Sequence, residues 1–157
     1  MQVFVPYDSP FEVARCLDSR RLHKQIIECR QILSAIRGES NAWRNHPCTK
    51  MYRNHVVWLE YYMFCLECVI EADRMVRRNE LEDVDETEML AKEWSRKADM
   101  IRPSFLTEEF CQHHRNRLYT KDPEWYGDFF LHCKESYENW YVVDGELLRY
   151  EYGKIIK

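Results

Sequence analysis

Apolar residues recur at Leu22, Ile26, Cys29, Leu33 and Ile36, in steps of four and three. That period predicts an amphipathic helix with one buried stripe. Ser9-Pro10-Phe11-Glu12 reads as its start, a capping box with proline in the first turn, and Gly38 as its left-handed stop. One long helix is therefore expected from Pro10 to near Gly38. Ahead of it, Val3 and Val5 alternate in a short extended start. A second long helix is expected from Pro47 towards Arg78, and across VVWLEYYMFCLECVIEADRMV it is apolar on several sides, which suits a central position. The acidic NELEDVDE reads as a loop, and Asp85-Glu86-Thr87-Glu88 as the cap of a third helix ending before Arg102-Pro103. Thr107 caps a fourth, from Glu108 to about Tyr119, and Asp122-Pro123-Glu124 opens a short turn carrying Trp125 and Tyr126. Asp144-Gly145 between β-prone flanks predicts a hairpin within residues 137–157.

These elements add up to a mainly α, compact single domain over residues 1–157, with an extended N-terminal segment and a C-terminal β-hairpin as an appendage. A chain of 157 residues buries a sizeable core without staples, and only 4 glycines and 5 prolines fit neither a disordered chain nor a turn-rich sandwich. No apolar run reaches the ~18 residues of a membrane span, and MQVFVPYDSP lacks a secretion signal, so an intracellular protein without membrane partners is expected. Seven cysteines, an odd number, then read as reduced thiols.

The net charge of −4 argues against a nucleic-acid partner when taken whole, yet it is unevenly spread. Residues 11–55 carry nine Lys/Arg against four Asp/Glu, while residues 56–100 carry six against twelve. Such asymmetry marks either a basic binding face or a solvated helix pair.

Arg21, Gln25 and Glu28 fall on one flank of the first helix, beside its core stripe. They read either as an ion pair on a helix edge or as a partly buried general acid/base. His113-His114-Arg115-Asn116-Arg117 sets cations a turn or less apart, as a phosphate site or a solvated basic edge. Cys65-Leu66-Glu67-Cys68 sits inside an apolar helix without a second pair; even with Cys111, His113 and His114 in the chain, small core residues are the better reading and no metal is expected.

Taken together, MQVFVPYDSP, LDSRRLHKQIIECRQIL, W-x-NHP-x-x-KMY and HHRNRLYTKDPEWY, in that order, resemble the pyrimidine-dimer DNA glycosylase family, the phage-type endonuclease V group, in a bacterial and viral branch. The resemblance covers residues 1–55 and 102–130 and does not reach the hairpin. It implies a mainly α domain whose N-terminal segment runs beside the first helix, so that the terminal amine meets a glutamate. It also implies a DNA glycosylase with AP lyase activity on pyrimidine dimers or another abnormal base in duplex DNA, acting without cofactor or metal. Location in a bacterial cytoplasm or nucleoid, or in a virus-infected cell, and a monomeric state follow from the same likeness.

On this reading Met1 and Glu28 are catalytic. An α-amino group has a pKa near 8, so part of it is neutral at physiological pH and can attack C1′ of a nucleoside. The phage enzymes lose their initiator methionine to expose a small residue; Gln2 is large, so here Met1 stays and its amine is the nucleophile. Glu28 would support the oxocarbenium-like sugar and move protons during β-elimination. Arg20, Arg21, Lys24, Gln25, Arg30, His46, Lys50, His114, Arg115, Arg117 and Lys121 are expected to meet DNA. Trp125 and Tyr126 either stack on the lesion or are core. The alternative function is a non-catalytic DNA-binding module of the same fold.

Overall fold

The computed structural model describes residues 1–78, 102–151 and 154–156. The expected acidic loop and third helix lie outside the described residues. Within them the protein is mainly α: α1 (Pro10–Cys16), α2 (Ser19–Arg37), α3 (Pro47–Tyr52), α4 (Val56–Arg77), α5 (Glu108–Lys121) and α6 (Pro123–Tyr126), followed by β1 (Asn139–Val143), β2 (Glu146–Glu151) and β3 (Lys154–Ile156).

Both long helices expected near the N-terminus are broken. The first splits into α1 and α2 because Leu17 and Asp18 adopt extended backbone and Asp18 caps a new start, its Oδ1 accepting the Arg21 N–H at 3.1 Å. Asp18 Oδ2 also accepts from Arg21 Nη1 at 2.6 Å and from the Tyr126 hydroxyl at 2.7 Å. Burial pushes this carboxyl up, and those hydrogen bonds more than reverse it, holding Asp18 below its ordinary range. The helical period runs through the break, so only the cap marks it. α2 does end as expected, with Gly38 at φ 77° receiving the chain in the left-handed region.

The second long helix splits at a turn through Arg53 and Asn54, closed by the His55 N–H on the Tyr52 carbonyl at 2.9 Å. No glycine or proline marks this turn, and apolar residues flank it on both sides. Thr107 and Asp122 cap α5 and α6 through their side chains, and α5 runs on to Lys121. Asp144 at φ 52° and Gly145 at φ 82° make the hairpin turn with both central residues left-handed. The hairpin gains a third strand: the sheet is antiparallel in the order β1-β2-β3, with Tyr141 opposite Leu148 and Tyr150 opposite Ile155.

One hydrophobic core joins the parts, drawing Val3 and Val5 from the N-terminal segment, Ile32 from α2, Trp58 and Leu66 from α4, Leu118 from α5 and Tyr141 from β1. Tyr52, Trp58 and Tyr62 stack in succession within it, with ring centroids 5.9 and 5.5 Å apart. His113 of α5 stacks on Trp140 of β1 at 4.1 Å, tying sheet to helix. Among the described residues, no helix is long and apolar enough to cross a membrane.

Candidate active site

Residues Gln2 to Pro6 are buried, and they lie outside the sheet. A buried backbone without a ladder must find its hydrogen-bond partners elsewhere. Here side chains supply them. Gln25 of α2 accepts the Phe4 N–H on Oε1 at 2.8 Å and donates through Nε2 to the Gln2 carbonyl at 3.0 Å. The Tyr62 hydroxyl of α4 donates to the Phe4 carbonyl at 2.7 Å. From α5, His114 Nδ1 accepts the Val5 N–H at 2.7 Å, and Arg115 donates to the Pro6 carbonyl at 2.7 Å. The Tyr141 hydroxyl of β1 donates to the Met1 carbonyl at 2.9 Å.

This mesh delivers the chain terminus to Glu28. The Gln2 N–H donates to Glu28 Oε2 at 3.3 Å, and Gln25 Nε2 donates to the same oxygen at 3.0 Å. Covalent geometry keeps the Met1 nitrogen within about 4 Å of the Gln2 nitrogen. An amine and a carboxylate therefore share a partly open position, with the second carboxylate oxygen facing the Lys24 ammonium at 3.9 Å. The Glu28 side chain is 13% exposed, enough for a substrate atom to reach it. Burial and then the positive N-terminus lower His46, whose Nδ1 accepts the Cys48 N–H at 3.1 Å, so this ring is neutral beside the amine.

Cations rim the position. Lys121 Nζ stands 5.8 Å from the centroid of the Phe4 ring. Partial burial, then Arg117, Arg21 and Lys24, hold its ammonium below the usual lysine range, while Glu28 acts against them. Lys24, Lys121, Arg20 and Lys50 are exposed, and Arg30, also exposed, pairs with Glu67 at 2.8 Å.

Several residues expected to meet DNA are instead part of the framework. Gln25 is 1% exposed, with all its polar atoms engaged inside the molecule. His114 is wholly buried; the Val5 bond leaves its proton on Nε2, which faces the Gln2 carboxamide at 3.5 Å. Neither it nor His113 is a cation at neutral pH: burial, then neighbouring positive charge, lowers His114 well below its ordinary range and His113 to about 4. Arg115 turns inward to Pro6, Gln112 and Glu108, and Arg117 holds the Ser136 carbonyl and the Asn139 side chain. Arg21 is committed to Asp18, and His46 to capping α3.

The two aromatic candidates part company. Tyr126 is fully buried and stacks on Phe130 at 5.5 Å, so it is core. Trp125 is 44% exposed, anchored by its ring N–H on the Cys16 carbonyl at 3.0 Å. All seven cysteines are free thiols, and Cys65 is a buried core residue whose thiol burial pushes up to about 12. Among the described residues, no group of three or more His, Cys, Asp and Glu side chains is arranged to hold a metal ion.

The family model described as pyrimidine dimer DNA glycosylase matches residues 1–81, which contain the N-terminal segment, Gln25, Glu28 and Tyr62. The chain belongs to this family. No curated protein and no solved structure matches it. A pyrimidine dimer DNA glycosylase acts on DNA, and the matched stretch holds both the amine terminus and the carboxylate. Two members of the mesh escaped the sequence reading. Tyr62 is hidden in an apolar run with no pattern to mark its hydroxyl, and Tyr141 belongs to the hairpin, beyond the resemblance. Gln25 did carry a signal, since a lone polar side chain close to a core stripe needs internal partners.

Proposed function

We propose that the protein is a bifunctional DNA glycosylase and AP lyase in which the Met1 amine is the nucleophile and Glu28 the catalytic carboxylate. The observation that carries the reading is the Gln2 N–H bonded to Glu28 Oε2, which brings amine and carboxylate within reach of one sugar carbon. The neutral amine attacks C1′, the glycosidic bond breaks, and the departing base takes a proton. Ring opening gives an imine between Met1 and C1′. Loss of a C2′ proton to Glu28 then expels the 3′ phosphate by β-elimination, and water releases the enzyme. Neither step calls for a metal, because an amine and a carboxylate carry both.

The substrate is duplex DNA bearing a pyrimidine dimer or another abnormal base, met by a monomer. Extrusion of a nucleotide gives the amine access to C1′. Exposed Lys24 and Lys121 beside Glu28 suit the flanking phosphates. Borohydride added to protein and abasic-site duplex tests the reading by reducing the imine to a stable amine. The expected result is a covalent complex with the modification on the N-terminal peptide. Modification of the Lys121 peptide would move the nucleophile to that lysine, whose ammonium is held below the usual range. DNA retention without any trapping would favour the non-catalytic binding module.

A further inference from the structure

The C-terminal sheet lies outside the stretch that the family model matches, yet it touches the residue that carries the proposed nucleophile. A trans peptide unit is planar, with its N–H and C=O pointing in opposite directions. The unit joining Met1 to Gln2 is held at both ends: its N–H by Glu28 at 3.3 Å and its C=O by the Tyr141 hydroxyl at 2.9 Å. With that plane gripped from two sides, the amine keeps one backbone freedom, rotation about the Met1 Cα–C bond. Tyr141 is itself fixed, 4% exposed, its ring edge-on to His46 at 5.6 Å and to Tyr150 at 5.5 Å.

The geometry points to Tyr141 as a positioning residue for the reaction, which makes the C-terminal sheet a working part of the active site. This rests on the proposed role of Met1. Removing the hydroxyl frees the carbonyl end of the plane, and the amine then samples orientations away from C1′ and Glu28. The consequence falls on the rate of imine formation, since Tyr141 is buried and has no surface to offer DNA.

Tyr141→Phe keeps the ring packing and deletes only the hydroxyl. Three quantities are read in the full chain: the single-turnover rate of borohydride trapping on abasic-site duplex, the affinity for that duplex, and hydrogen exchange at the Gln2 amide. The expected result is a trapping rate lower by about 10-fold, unchanged affinity, and Gln2 exchange faster by about 10-fold, while the Phe4 and Val5 amides stay protected. Unchanged trapping and unchanged Gln2 exchange would overturn the inference. So would a variant that loses affinity, or the protection of the Phe4 and Val5 amides, along with rate, because that marks general disruption. If the unaltered protein traps nothing, the proposed function fails instead; Gln2 exchange then decides the anchor alone, unchanged exchange overturning it and faster exchange sustaining it.

Discussion

The protein holds two extended stretches in opposite ways. Its C-terminal strands satisfy their backbone groups through an antiparallel ladder, which accepts almost any side chain that alternates suitably between faces. Its N-terminal segment satisfies them with named side chains from α2, α4, α5 and β1. A ladder is general and redundant. The side-chain mesh is particular, since each bond depends on one residue and a loss leaves a buried polar group alone. It also leaves the end of the chain unencumbered by a neighbouring strand, which the proposed role of the Met1 amine requires.

The comparison breaks most sharply at Gln25. Gln25→Leu fills much of the space but orphans the Phe4 N–H and the Gln2 carbonyl in the interior, so a loss of about 2–4 kcal/mol is expected by denaturant unfolding. A loss below about 1 kcal/mol would mean that water substitutes for the side chain. At the other extreme, Leu147→Thr on the exposed face of β2 leaves the ladder intact and should change stability by less than about 0.5 kcal/mol.

Next comes Glu28→Gln, which keeps an oxygen for the Gln2 N–H and removes the charge. Strand cleavage should fall by about 10²-fold or more with DNA affinity kept. Near-normal turnover would assign the proton transfer to another group.

Acid should loosen the mesh before it touches the ladder. His113 and His114 have folded pKa values below the unfolded ~6.5, so their contribution is complete above that value and is lost as pH falls below it, towards about 4 for His113. Each buried ring should cost roughly 1.4 kcal/mol per pH unit over that window, and protonated His114 no longer accepts from Val5. Melting temperatures between pH 7 and 5 check this, with His114→Gln predicted to flatten the curve.

The smallest effects belong to the rim. Lys24→Ala and Lys121→Ala should each reduce the salt slope of DNA binding by about one unit. Arg115→Ala, whose guanidinium faces Pro6, should lower stability instead and leave the slope alone. A slope change for Arg115 but for neither lysine would relocate the binding face.

Much of this was legible along the chain, and the failures have physical causes. Thr107, Asp122, Gly38 and Asp144-Gly145 announced their caps and turn, because each acts on backbone within a few residues of itself. The breaks at Asp18 and Arg53-Asn54 were hidden because hydrophobic period survives a change of helix direction. The flank of Arg21, Gln25 and Glu28 was legible beside the stripe, while a catalytic part for Glu28 came only with the resemblance; Arg115 and His114 were read as surface cations because burial, which decides their partners, is not a local property.

Local spacing and capping chemistry by themselves determined the helical character, the hairpin turn, and a helix flank carrying Arg21, Gln25 and Glu28; that the chain end meets this glutamate was implied only by the resemblance. Only the tertiary structure decided which of eleven expected DNA contacts remain at the surface, and that Tyr62, His114 and Tyr141 hold the N-terminal segment from residues 58 to 140 positions away. Hydrogen bonds across such separations leave no period in the chain. They exist once packing has brought the partners together and excluded the water that would otherwise satisfy them.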